Sequence, residues 1–320
     1  QKERVSLNSI GRIFAIFAGI VTGILLPLVR QSLGGWATTV IVLSILSAAM
    51  MIPMCLFAKE RVIEREKSRD GGAEENYTLR DMVECLRSNK YLLIFFAAPL
   101  INSLLNIGAT WGLYIARYCL GGEEIASFVS MAVIVPTLIG AAIAVQLCKK
   151  YDKFKIFYFS YMFALILGIV RYIAGYENMM VYVILNALGG FPLGIAAILQ
   201  YQFTPDCYEY GQYKTGLKMR GVTFAAQTFF TKLNGAIATA VSVFALTLIG
   251  FKEGEGVIQA AGFADKLWTF SCLGSIIGGI GTLLILRLYK LNDHDVQLMS
   301  KCNNGEITRE EAEAQMINRY

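Results

Sequence analysis

The 320-residue chain is 55% apolar and 17% charged, with a net charge of +5 and a mean hydropathy of +0.51. Its charges gather in short stretches between long apolar ones, which defines a polytopic α-helical membrane protein and excludes a soluble enzyme built on one large core. The positive balance follows from topology rather than from a nucleic-acid partner.

Residues 1–12 are basic and polar, ending at Arg12, which stands at the mouth of the first apolar segment as either a topology anchor or a ligand. Eight apolar segments follow, near 10–29, 36–58, 91–118, 124–148, 156–175, 179–204, 222–250 and 267–289. With the N-terminus inside, the inner stretches carry 23 Lys and Arg and the outer ones five, which predicts that both ends of the chain are cytoplasmic. Trp36 and Trp268 open two segments on the outer side, where an aromatic belt belongs. The seven cysteines form no CxxC pair, so they read as reduced packing residues. No cleavable signal is evident. A chain that opens at Gln1 in what reads as mid-loop is expected to be part of a longer open reading frame.

The second segment ends at the longest polar stretch, Lys59 to Lys90, with eight basic and eight acidic residues. Thr78-Leu-Arg-Asp81 resembles a capping box, and Leu79, Met82, Val83 and Leu86 share one face of the helix it would start, an amphipathic helix on the membrane surface. This stretch is the predicted boundary. It gives 1–58 as the last two helices of one bundle, 59–90 as the loop, 91–290 as a six-helix bundle and 291–320 as a tail.

Asn102 and Asn106 are four apart on one face of the third segment, suited either to interhelical hydrogen bonding or to lining a cavity. GGFPLG at 189–194 puts Pro192 inside an apolar segment, a break that often marks a gate. Residues 206–220 then read as a charged loop carrying Asp206, Glu209, Lys214, Lys218 and Arg220. Lys232 follows in the next apolar segment, eleven residues beyond Gly221, or roughly 16 Å along a helix and about half of a ~30 Å hydrocarbon core. Burying that charge costs at least ~2.5–3.5 kcal/mol, so Lys232 needs a partner or a polar cavity. Gln227, Thr228, Thr231, Lys232, Asn234, Gly235 and Thr239 form a polar arc, with Phe229, Phe230, Leu233 and Ile237 opposite. His294 reads as solvated.

The run Asp206-x-x-Glu209-Tyr210-Gly211-Gln212-Tyr213-Lys214-Thr215-Gly216-x-Lys218, with Lys232 beyond it, resembles the glycoside–pentoside–hexuronide:cation symporters, the melibiose-permease relatives of the major facilitator superfamily. The opening E-R-x-x-L-x-x-x-x-R, the LRSNK stretch and the NIG of the third segment extend the likeness over nearly the whole chain. The resemblance implies an all-α major-facilitator fold, with eight transmembrane helices here of an expected twelve, matching helices five to twelve. It implies that Arg12, Ala15, Gln227, Thr228 and Lys232 lie beside a sugar, and that Asp206 and Glu209 join a cytoplasmic charge network between the two halves. Gln212, Lys218 and Arg220 depart from the usual Glu, Arg and Glu, so that network is altered. Ala197 replaces an aromatic platform, so a galactoside preference does not follow.

No Asp or Glu lies in the interior of the eight segments. Consistently, the resemblance implies that the acidic cluster binding the coupling cation (Na⁺, Li⁺ or H⁺) lies in the family's first four helices, outside the part matched here; no other cofactor and no metal site is expected in this chain. The expected activity is cation-coupled sugar import across the inner membrane. The alternatives are a membrane-embedded transferase, which would need a catalytic carboxylate cluster, and a non-transporting sensor or scaffold.

Overall fold

A computed structural model describes residues 18–19, 35–57, 79–218, 220–254 and 257–320. Arg12, Ala15, the rest of the first apolar segment and most of the 59–90 loop lie outside them. The described chain is helical throughout: α1 Trp36–Phe57, α2 Leu79–Ser88, α3 Lys90–Leu105, α4 Gly112–Cys119, α5 Glu124–Leu147, α6 Lys153–Ala174, α7 Met179–Leu199, α8 Phe203–Thr215, α9 Arg220–Leu248, α10 Phe263–Leu286, α11 Asp293–Asn303 and α12 Arg309–Gln315. Among the described residues, five stretches are long and apolar enough to cross a membrane: α5, α6, α7 continuing into α8, α9 and α10. Large side chains such as Ile173, Leu248 and Phe244 lie exposed along them. A sheath of apolar surface outside a modest core is what a lipid solvent requires.

Close helix contact in such a bundle depends on small residues. A Cβ on Gly190 would meet the Val133 carbonyl at 2.8 Å and the Thr137 hydroxyl at 2.9 Å, and one on Gly194 would meet the Ala141 amide at 2.8 Å. GGFPLG is therefore where α7 lies against α5. Helix α7 runs unbroken through Pro192, so the expected break is absent. Gly274 and Gly278 on α10 admit the backbone of Ile107 and Asn106 in the same way.

Two clusters close the bundle. At one end, Leu92, Phe95, Phe157, Phe203, Cys207 and Tyr289 are buried together. At the opposite end, Trp111, Tyr182, Leu246, Phe263, Leu267 and Trp268 do the same. Trp268 is thus a core residue, only 5% exposed, rather than part of an interfacial belt. Its ring meets those of Tyr176 and Tyr182.

Two further expectations change. The third apolar segment is not one helix: α3 stops at Leu105, with the Asn106 amide capping back on the Asn102 carbonyl at 2.7 Å. The chain then turns to bury Trp111, whose Nε1 donates to the Ser242 carbonyl at 3.0 Å. Residues 206–215 are helix α8, not loop, because Phe203, Cys207 and Tyr210 form a buried stripe at helical spacing. Gly216, at φ +74°, ends it in a left-handed cap. The 291–320 tail is folded, its α11 packing on α8 through the buried Val296 and Met299.

Candidate functional site

Helix α9 carries the polar arc. Its 29 residues span about 43 Å. One side is buried through Thr223, Ala226, Ser242 and Ala245, and Phe230 stacks on Phe96 of α3 at 4.6 Å. Thr228, Thr231, Lys232, Gly235 and Thr239 are exposed, and Gln227 and Asn234 half-buried. The hydroxyls of Thr228, Thr231 and Thr239 each return to the carbonyl four residues earlier, at 3.2, 2.7 and 3.0 Å. They are satisfied without water or ligand. Lys232 has no such recourse: among the described residues no carboxylate pairs with it. The Asn234 Oδ1 is buried without a partner.

Asn102 belongs to a helix contact instead. Its Nδ2 donates to Thr282 Oγ1 at 3.1 Å, and that hydroxyl donates in turn to the Gly278 carbonyl at 2.8 Å. Of the two roles open to Asn102, this geometry is the interhelical one. Asn106 sits at the C-terminus of α3, beside Gly278.

At the far end of the bundle the charges interlock. Lys153 Nζ lies 2.7 Å from Asp206 Oδ2 and 3.2 Å from Asp293 Oδ1. The Asp293 side chain accepts from the Lys153 amide at 2.9 Å, while the Asp293 amide donates to Asp152 Oδ2 at 2.8 Å. Asp152 also caps α6, accepting from Phe154 N. One lysine thus ties α6, α8 and α11 together, with both carboxylates compensated. Glu209 is used separately, accepting from Asn303 Nδ2 at 2.9 Å. Lys214, Lys218 and Arg220 are exposed. The sequence reading found Asp206 but missed its partners. Lys153 and Asp293 are distant from Asp206 in sequence; the capping position of Asp152, just before Lys153, is the available clue.

An all-helical bundle with several membrane-length helices, a mid-helix lysine facing outward and a charge network at one end is the architecture of a polytopic carrier. The chain belongs to the MFS/sugar transport protein family, whose model matches residues 1–293. It is a transporter-family protein and not an enzyme, which removes the transferase alternative. The chain is 25% identical over 276 residues to symporter YnaJ of Bacillus subtilis (strain 168), itself uncharacterised, a match covering 82% of this chain and 57% of that protein. It is 24% identical over 311 residues to the provisionally named glycoside/cation symporter YagG of Escherichia coli (strain K12), covering 94% and 65%. A provisionally named sulfoquinovose importer of the same E. coli strain is 22% identical over 244 residues, covering 74% and 51%. The chain therefore spans roughly 57–65% of the length of the first two relatives.

Proposed function

We propose that the chain contributes most of a carrier that imports a sugar (a glycoside, pentoside or hexuronide) by alternating access, coupled to a monovalent cation. Residues 91–290 form its second bundle, 1–58 belong to the first, 59–90 link them, and 291–320 cap the inner face. Arg12, Ala15, Gln227, Thr228 and Lys232 line the sugar path; Asn106 stands near it. The cation binds outside the eight apolar segments. Asp206 and Glu209 serve the inner gate. The protein resides in a cytoplasmic membrane with both ends of this chain inside.

The observation that carries this reading is Lys232, a cation at mid-helix on an exposed polar stripe with no counter-ion among the described residues. An intramembrane charge is retained where it meets a substrate or a water-filled path. The names of the relatives YagG and the sulfoquinovose importer support a sugar-type cargo. The test is uptake of labelled glycosides, pentosides and hexuronides into proteoliposomes holding the full-length protein, with imposed Na⁺ or H⁺ gradients. Gradient-dependent accumulation of one class is the expected result. Absence of uptake and of sugar binding across all three classes would leave a non-transporting scaffold as the reading.

A further inference from the structure

A mostly apolar cleft of about 380 Å³ opens between α5, α6, α7 and α10. No residue of α9 lines it, and Arg171 is the charged side chain in its wall. Arg171 occupies the last turn of α6, where a cation suits the helix dipole and would ordinarily extend toward the interface. Here it runs the other way. Its Nη1 donates to Asn186 Oδ1 at 3.4 Å. Asn186 lies seven residues beyond Met179, about 10 Å into α7. The fully buried Cys272 is also within hydrogen-bonding reach of the guanidinium. Helical side chains lean toward their own N-terminus, which carries this one into the bundle.

Nothing found there neutralises it. The Asn186 amide is already committed to the Tyr182 carbonyl at 2.8 Å. Arg171 Nε is buried without a hydrogen-bond partner, and no carboxylate among the described residues pairs with the guanidinium. The space beside it is open: a Cβ at Gly189, on the cavity wall, would meet nothing within 4 Å. An uncompensated guanidinium in an apolar cavity is an anion receptor lacking its anion.

We propose that this cavity binds an oxyanion, with a phosphate-type group held against the Arg171 guanidinium beside Asn186 and Ser275 and any apolar remainder lying along Leu167 and Leu193. The site is separate from the Lys232 stripe, so its ligand is a bound modulator rather than the sugar cargo. The anion comes either from an acidic lipid headgroup or from a free phosphate.

Full-length protein in phosphatidylcholine nanodiscs, with phosphatidylglycerol in the bilayer or inorganic phosphate in the buffer, separates the two sources. A melting-temperature rise of roughly 5 °C is expected in one arm at saturation. A rise with phosphatidylglycerol assigns a lipid headgroup; a rise with phosphate assigns a free anion. R171K should retain part of the shift, because a point charge lacks the bidentate fork, and R171Q should lose it. Gly189→Leu fills the cavity while leaving the guanidinium in place, and should lose the shift too. A wild type unmoved in both arms, or a Gly189→Leu protein that shifts as wild type does, overturns the proposal.

Discussion

Lys153 on α6 holds the carboxylate of Asp206 on α8 with both oxygens in reach, at 2.7 and 3.0 Å, while reaching Asp293 on α11 at 3.2 Å. Two carboxylates share one ammonium in a half-buried setting, so removing the lysine strands both. Lys153→Ala is expected to destabilise the protein by about 3–5 kcal/mol, seen as a lowered detergent melting temperature. Replacing Lys153 and Asp206 together by apolar residues should recover part of the loss. A Lys153→Ala protein that melts with wild type would show the pair to be solvated.

The α5–α7 crossing should be intolerant at the glycines that touch and indifferent at the one that does not. Gly194→Ala places a methyl against the α5 backbone and is expected to cost about 1–3 kcal/mol. Gly189→Ala meets open space and should be neutral or slightly stabilising in the helix. Thermal melts of the two single variants decide it; equal losses would contradict the packing.

The tail's docking should depend on pH through Asp295. That carboxyl is fully buried and accepts from Ile317 N at 2.8 Å, Asn318 N at 3.1 Å, Tyr320 Oη at 2.8 Å and Asn292 Nδ2 at 2.7 Å. Burial pushes its pKa up, but these donors outweigh burial and hold it below the usual carboxylate range. A depressed folded-state pKa stabilises the cap fully above the unfolded value of ~3.9 and loses that contribution as pH falls through the folded value. Hydrogen-exchange protection of 291–320, taken relative to the intrinsic rate at each pH, should therefore be high at neutral pH and fall at the acid end. Asp295→Asn should exchange fast at pH 7. Exchange indifferent to both changes would mean the cap is held by its apolar contacts alone.

Topology is testable with single cysteines in a cysteine-free background. Lys150, between α5 and α6, should be protected from an impermeant thiol reagent in intact cells, and Glu253, between α9 and α10, should react, because short Lys-rich loops resist export. The reverse pattern would invert the orientation.

The apolar segments and the family motif were legible because hydropathy and a long polar signature are local properties. What escaped depended on contacts distant in sequence. Charges at 206–218 masked the Phe203–Cys207–Tyr210 stripe that makes α8 a helix. In the tail, Tyr320 reaches the Tyr91 ring at 5.9 Å and Val296 and Met299 enter the core, contacts that no local pattern reports. Trp268 was placed by its position at a segment end, but burial against Tyr182 is set by the fold of α7 and α10. Lys232 was found correctly as a mid-helix charge.

If Lys232 serves the cargo rather than the fold, its removal separates binding from stability. The decisive measurement is full-length protein carrying Lys232→Ala, assayed for detergent melting temperature and direct sugar binding in parallel. A ligand role predicts unchanged or improved stability, because an expensive charge leaves the apolar helix. It also predicts binding weakened roughly ten- to hundredfold, the worth of one charge-assisted hydrogen bond. Unchanged affinity with a lowered melting temperature would contradict it and make Lys232 a structural tether.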